Sequence, residues 1–294
     1  MTGHAPSVPA GRATLAGIGL MLTGVLVFSL NDALGKWLVG RYSVGQILLC
    51  RSAIGLALLM PFAARAGRRA FVTAPRRGLQ LIRIAIGSAE VALFFLAVRY
   101  LPLADVLTFY LAAPIYVTAL SVLLLGERVG WRRWAAVLAG FTGVLVALRP
   151  SPDSPSWPAL IALVGSGAYA FLMIATRALR ATSNTVLVTG QIASTLAFGL
   201  VAAPFGWVTP SAADAGLLVL FGVNAIVALA CVNRALALAP ANVVVPFQYT
   251  MILWGALLGY LVFGDVPPPN VLAGAAIIVA AGLYIFVREQ AASR

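Results

Sequence analysis

The chain has 294 residues, of which 62% are hydrophobic and 10% are charged, and its mean hydropathy is +0.99. A soluble fold of this size needs a polar surface that so few polar side chains cannot supply, so the composition excludes a soluble globular protein. The formal net charge of +12 does not indicate nucleic-acid binding. The basic residues lie between apolar runs, and no soluble basic domain is present to bind a duplex.

Apolar runs recur along the whole chain, each close to the ~20 residues that a helix needs to cross a hydrocarbon core of ~30 Å. The runs are continuous and do not alternate, so helices are predicted and barrel strands are excluded. The first run is too long for a cleaved signal sequence. The ten predicted spans are residues 13–39, 44–64, 79–99, 104–125, 131–148, 157–180, 184–204, 212–237, 242–263 and 270–287.

The charges in the predicted loops orient these spans. With the N-terminus inside, most basic residues of the loops and tails fall on the cytoplasmic side, and only Arg41, Arg99 and Arg149 fall on the other. This bias follows the positive-inside rule. It predicts a multi-pass protein of the bacterial inner (cytoplasmic) membrane with both termini in the cytoplasm.

Two segments share one pattern: "LLLGERVGWRRW" at residues 123–134 and "LVFGDVPPPN" at residues 261–270. Glu127 and Asp265 occupy equivalent positions, and the same offset relates several other residues of this span and its flanks. The first copy keeps its arginines and the second has none, as expected if the two copies face opposite sides of the membrane. We therefore interpret the two acids as markers of topology and not of chemistry.

The constant offset predicts two homologous halves of five helices each, residues 1–150 and 151–294. Because five is odd, the second half enters the membrane from the opposite side. The predicted fold is thus an all-α polytopic membrane protein, with ten transmembrane helices arranged as two inverted-topology five-helix repeats around a central cavity. Such repeats are common in secondary transporters.

The run "AVRYLPLADVLTFYLAAPIYVTALSVLLLGERVGWRRW", residues 97–134, resembles the repeat of the EamA-type drug/metabolite transporter superfamily. That repeat begins with (K/R)YLPA, continues as an apolar helix and reaches LGE before its final helix. Residues 236–286 repeat the pattern more loosely, with Asp265 in place of the usual glutamate. The resemblance implies a ten-helix transporter with a central cavity between its halves, often one that exports amino acids or other small metabolites.

Glu90 is the strongest candidate for a functional residue. An ionisable group at the bilayer centre costs on the order of 2.5–3.5 kcal/mol, so it faces a partner or a wet cavity. Glu90 lies almost midway along the third span, and the equivalent position of the second half is Ala228. Two interpretations remain open: a cavity-lining acid that binds a substrate amine or carries a proton, and an acid hydrogen-bonded within the bundle.

Other polar groups lie within the apolar runs. Asp32 and Lys36 are four residues apart on the first span, a spacing that predicts an internal ion pair with either a binding or a structural role. Arg51 in the second span is interpreted as a structural partner of Asp32. Pro246 is expected to interrupt the ninth helix near its start.

Two aromatic pairs form equivalent stripes, since Phe109 and Tyr116, and likewise Phe247 and Trp254, are seven residues apart. The stripes either wall a midplane cavity or pack against lipid and protein. Glycines of the fifth and tenth spans, among them Gly143, are assigned to close helix packing, as scaffold or as a subunit contact. The candidate residues for substrate binding or proton coupling are Glu90, Phe94, Phe109, Tyr110, Tyr116, Asn224, Phe247, Gln248, Tyr249, Trp254, Asp32 and Lys36.

These features predict a secondary transporter that exports small metabolites, amino acids first among them, by alternating access. The alternatives are an intramembrane enzyme acting on a lipid-linked substrate and a transporter of other small amphipathic compounds or drugs. A channel is disfavoured because no ring of polar residues repeats around a pore. The expected partners are a small-molecule substrate, the lipid bilayer and protons as candidate coupling ions, without nucleic acid, in a monomer or weak homodimer.

Catalytic residues, metals and cofactors are not expected. His4 is the only histidine, which removes most metal-site and histidine-base chemistry. The eight acids are scattered along the chain, whereas an intramembrane enzyme needs them clustered at one interface. The chain also lacks a Walker A sequence, so it does not drive transport by ATP hydrolysis on its own.

Overall fold

The computed structural model describes residues 10–72, 74–113, 116, 120, 131–148, 157–179, 182–238 and 245–292. The regular structure of these residues is helical. The α-helices are α1 (Ala10–Val39), α2 (Val44–Val72), α3 (Arg77–Tyr100), α4 (Leu103–Tyr110), α5 (Trp131–Leu148), α6 (Trp157–Ala178), α7 (Asn184–Ala202), α8 (Ala212–Leu238), α9 (Met251–Leu258) and α10 (Pro269–Ala292). A 3-10 turn (Val245–Thr250) leads into α9, and a π-helix (Gly259–Phe263) follows it.

Six of the described helices, α1 to α3 and α6 to α8, are long and apolar enough to cross a membrane. Shorter apolar stretches lie in α5, in α10 and in residues 247–263. The all-helical polytopic fold is therefore confirmed. The second part of the predicted fourth span, with Glu127 after it, lies largely outside the described residues, so the count of ten spans stays a prediction.

Most helix boundaries lie within a few residues of the predicted ones, and α2 departs further. Helix α2 extends past its predicted end at residue 64, and a kink at Gly67 (φ 76°, ψ 152°) separates it from a short helical stretch that ends at Val72. The predicted interruption at Pro246 corresponds to the 3-10 turn that precedes α9. A proline has no backbone N–H to donate, so an α-helical ladder cannot run unbroken through this position.

The helices pack in pairs along the bundle. Helix α1 lies along α8, α2 along α7, α3 along α6 and α5 along α10, and α4 contacts α9. Two of these pairs approach at glycines. A Cβ atom on Gly199 of α7 would lie 2.6 Å from the backbone nitrogen of Leu49 in α2, and one on Gly274 of α10 would lie 2.6 Å from the carbonyl oxygen of Gly143 in α5. Gly143 and Gly274 thus serve as packing positions within the chain.

One end of the bundle, which we call the α1–α2 end, is joined by several polar contacts. The Tyr42 hydroxyl donates to Asp214 over 2.7 Å, and Arg41 donates to the same carboxylate over 3.2 Å. The hydrogen bond to Asp214 raises the pKa of the Tyr42 phenol. The buried Gln46 side chain bonds both the carbonyl oxygen of Val208 (2.6 Å) and its N–H (3.0 Å). The turn between α1 and α2 is therefore fixed to the segment that begins α8.

Candidate functional site

Five polar side chains from five helices converge inside the bundle. We call this group the central cluster: Asp32 of α1, Arg51 of α2, Glu90 of α3, Tyr110 of α4 and Tyr169 of α6. Asp32 and Glu90 are only 6% and 7% exposed. The charge of Arg51 interacts with both carboxylates, and both carboxylates act in turn on the two tyrosines. The group therefore brings two acids and one base together with two phenols.

Aromatic rings enclose the central cluster. The Arg51 guanidinium lies 5.1 Å from the ring centroid of Phe221 and 5.8 Å from that of Phe95, within cation–π range. The two rings meet edge to face at 5.4 Å. On the other side, Tyr110 packs edge to face against Phe94 at 5.1 Å. Phe94, Phe95 and Phe221 are themselves buried, so the rings shield the charges from the surroundings of the bundle.

Tyr110 is held by close contact between α4 and α6. The Ser166 hydroxyl donates to the carbonyl oxygen of Phe109 over 2.7 Å, which fixes the two helices side by side. The Tyr110 hydroxyl faces Glu90 and lies above Gly165, where a Cβ atom would be only 2.4 Å away. It is buried and makes no hydrogen bond of standard geometry within the described residues. Its interaction partner in the cluster is the Glu90 carboxylate.

The composition of the central cluster limits what it can bind. Two carboxylates and one guanidinium leave one negative charge when all three are ionised, and a buried unpaired charge is costly. The arrangement suits a cationic group of a substrate or a proton, either of which would neutralise the excess carboxylate. Glu90, which faces the Tyr110 phenol, is the candidate position for either.

A second polar group joins α3 to α7. Ser88 donates to the Ser194 hydroxyl over 3.0 Å and lies 3.1 Å from that of Thr195, while Ser194 donates to the carbonyl oxygen of Ile84 over 3.2 Å. Such hydroxyl contacts between apolar helices stabilise packing in a bilayer. These side chains are bonded to one another, so we assign them to helix packing.

The predicted ion pair between Asp32 and Lys36 is wrong. Lys36 instead bonds to Asp265, and its ammonium lies 4.5 Å from the ring centroid of Phe263. Asp32 lies deeper in α1 and interacts with Arg51. One helical turn separates the two residues, and that turn carries Lys36 to the α1–α2 end, where the π-helix ends. Asp265, interpreted from sequence as a topology marker, therefore also has a structural contact.

The two aromatic stripes do not meet at the central cluster. Phe109 is buried in the main hydrophobic core, and Tyr116 packs edge to face against Phe141 at 6.0 Å. Phe247 and Trp254 instead pack on a separate group formed by Met21, Val25 and Ala235. The packing interpretation of the stripes fits these positions better than a shared cavity wall.

The remaining candidates are Tyr249, Asn224 and Gln248. Tyr249 packs against the main core with its hydroxyl buried, while Asn224 and Gln248 are half-buried, and no hydrogen bond among the described residues ties them to the central cluster. Sequence reasoning missed Tyr169 and Phe221. Tyr169 could have been found from its position, because it places a phenol in the middle of the sixth span. The same argument from depth in the membrane selected Glu90.

A helical membrane bundle with ionisable groups buried at its centre is typical of secondary transporters. Residues 15–149 match the model of the EamA-like transporter family. The resemblance to the EamA-type superfamily is thereby confirmed.

Curated relatives extend the similarity over nearly the whole chain. A riboflavin transporter of Rhizobium johnstonii is 29% identical over 98% of this chain and 96% of its own length. An S-adenosylmethionine uptake transporter of Rickettsia felis is 24% identical, covering 96% of each chain. The pseudopaline exporter CntI of Pseudomonas aeruginosa is 29% identical over 90% of this chain and 94% of its own.

A solved crystal structure shares the fold, with a TM-score of 0.63 at 17% identity, covering 92% of this chain and 95% of the other. The three relatives are transporters of small molecules and not enzymes. The comparisons therefore do not favour an intramembrane enzyme.

Proposed function

We propose that this chain is a secondary transporter that moves a small amphipathic metabolite across the bacterial inner membrane by alternating access. The observation that best supports this proposal is the central cluster. There Asp32, Arg51 and Glu90 are brought together from three helices inside an apolar bundle. Charges at this depth are retained where they bind a substrate or carry a proton.

The helix pairing supports an inverted repeat of residues 1–150 and 151–294. If each proposed half is numbered from its own first helix, the first helix of either half packs on the third helix of the other. The second, fourth and fifth helices each contact their own counterparts. This pattern is unchanged when the halves are exchanged, as a two-fold relation requires.

The α1–α2 end supports an outward-closed state. Lys36 bonds to Asp265 and Arg41 to Asp214, so both contacts join the first half to the second. The positive-inside orientation, with both termini in the cytoplasm, places this end on the outer side of the membrane. Alternating access requires these contacts to break once in each cycle.

The substrate class follows from the walls and charge of the central cluster. Carboxylates beside tyrosine and phenylalanine rings suit a molecule that has a cationic or hydrogen-bonding group and an apolar or ring portion. Amino acids, predicted from the sequence, meet this description, as do the riboflavin and S-adenosylmethionine of the relatives. Export remains the proposed direction, and the relatives include both an uptake transporter and an exporter.

A substrate screen in proteoliposomes tests the proposal. Amino acids, amines, riboflavin and S-adenosylmethionine are compared across imposed pH gradients, with each compound recovered and checked for chemical change. Glu90→Gln is expected to lower transport about tenfold or to flatten its pH dependence, because the residue can no longer ionise. Ser88→Ala, at the packing group between α3 and α7, serves as the control. Wild-type transport with a wild-type pH profile in Glu90→Gln would remove Glu90 from the mechanism.

A further inference from the structure

A concave surface lies at the α1–α2 end, away from the central cluster. It is a cleft of about 350 Å³, within the size range of small-molecule sites. Its wall carries three basic side chains, Lys36, Arg41 and Arg99, and two aromatic ones, Trp37 and Phe263. No acidic side chain is among the described residues that line it. We call it the basic cleft.

The three basic residues differ in how far their charges are already satisfied. Lys36 is bonded to Asp265, and Arg41 lies 3.2 Å from Asp214. Arg99 is exposed at the end of α3, and within the described part of the chain no carboxylate pairs with it. Its guanidinium therefore offers a planar set of donors that suits a carboxylate or phosphate.

The aromatic side chains add a surface for a flat ring. Trp37 is 40% exposed, and the Arg41 guanidinium lies 5.0 Å from its ring centroid. Phe263 lies beneath the Lys36 ammonium. A ring that enters the cleft can therefore pack against exposed indole while its anionic group reaches Arg99. The central cluster has the opposite preference, because its two carboxylates would repel an anion.

We propose that the basic cleft binds a soluble organic anion that carries a flat ring. Arg99 binds the anionic group, and the anion competes with Asp265 for Lys36. Because the pair of Lys36 and Asp265 joins α1 to the segment before α10, occupation of the cleft weakens one of the contacts that close this end. The site is separate from the central cluster and does not depend on the transport proposal.

The test is equilibrium binding of two flavins to the full chain in nanodiscs of phosphatidylcholine. Flavin mononucleotide carries a phosphate, and riboflavin is the same ring and side chain without it. We expect flavin mononucleotide to bind about tenfold more tightly, with a preference that falls as salt is raised. Arg99→Gln should weaken its binding about fivefold or more, because a charge-assisted hydrogen bond is lost. Arg68→Gln, which removes an equal exposed charge near the far end of α2, should leave binding unchanged.

Three other results would contradict the proposed anion site. Flavin mononucleotide binding that does not weaken as salt is raised would rule out an anion site, and unchanged binding in Arg99→Gln would place the site elsewhere. Loss of flavin mononucleotide binding when phosphatidylglycerol is added would assign the cleft to lipid head groups and overturn a soluble ligand. Glu90→Gln should bind flavin mononucleotide as tightly as the wild type does, so the binding result can be interpreted even if the transport proposal fails. Arg99→Lys should restore part of the affinity, and the Tm of each variant shows that it is folded.

Discussion

At the scale of single residues, the position of Tyr110 depends on a glycine in another helix. A Cβ atom on Gly165 would lie 2.4 Å from the Tyr110 hydroxyl and 3.4 Å from the Cβ of Leu93. The tyrosine ring cannot simply move aside, because Phe94 packs against it at 5.1 Å and Tyr169 lies at 6.0 Å. The free volume at Gly165 is therefore part of the central cluster.

Gly165→Ala is expected to lower transport about tenfold by displacing the phenol from Glu90, since a misplaced buried polar group loses about 1–3 kcal/mol of interaction. Gly167→Ala is the matched control, because nothing lies within 4 Å of a Cβ at that position of the same helix. Initial rates in proteoliposomes measure the effect, and the Tm of each variant reports folding. Equal rates for both variants would show that the Tyr110 hydroxyl does not contribute.

The pairing of Lys36 shows where residue-scale prediction from sequence ends. The spacing along α1 correctly puts Asp32 one helical turn from Lys36. It could not show that Asp265, more than two hundred residues later, would lie closer. Glu90 was correctly predicted to be a buried acid, because its mid-span position follows from local hydropathy and an ionisable group at that depth avoids lipid. Its neighbours Arg51 and Tyr169 come from other helices, and their convergence depends on the fold.

At the scale of helices, the boundaries were predictable because apolar runs and turn residues are local signals. The α5 bounds, Trp131–Leu148, match the prediction at both ends. The π-helix at Gly259–Phe263 was not predictable, because it depends on how the ninth segment meets its neighbours. Gly264 follows it with a φ of 71°, a conformation that favours glycine.

The contact between α2 and α7 gives a test of helix packing. A Cβ atom on Gly199 would meet backbone atoms of Leu49 at 2.6–2.7 Å, so Gly199→Ala must push the helices apart. We expect a loss of about 1–3 kcal/mol in stability, the usual cost of overpacking. Gly190→Ala in the same helix meets only a methyl group of Ile84 at 3.7 Å and should be close to neutral. Thermal unfolding in detergent compares the two, and similar Tm values would contradict this close approach.

At the scale of the whole molecule, the contacts at the α1–α2 end determine whether the proposed halves can separate there. The two ion pairs described at this end connect residues of different proposed halves, and Gln46 adds two hydrogen bonds to Val208. Polar contacts that water can replace are suited to repeated opening and closing, whereas the apolar and glycine contacts along the helices are better suited to remain packed throughout the cycle.

Reversible cross-linking of this end tests alternating access directly. Cys50 and Cys231 are first replaced by serine, and Lys36→Cys is combined with Asp265→Cys. A short thiol-reactive cross-linker that a reductant cleaves should stop transport in proportion to the cross-linked fraction, because the outer end can no longer open. Transport should return after reduction, while each single-cysteine variant treated alike should be unaffected. If fully cross-linked protein transports as fast as the same protein after reduction, this end does not open during the cycle. The substrate would then reach the central cluster by a route that leaves positions 36 and 265 joined.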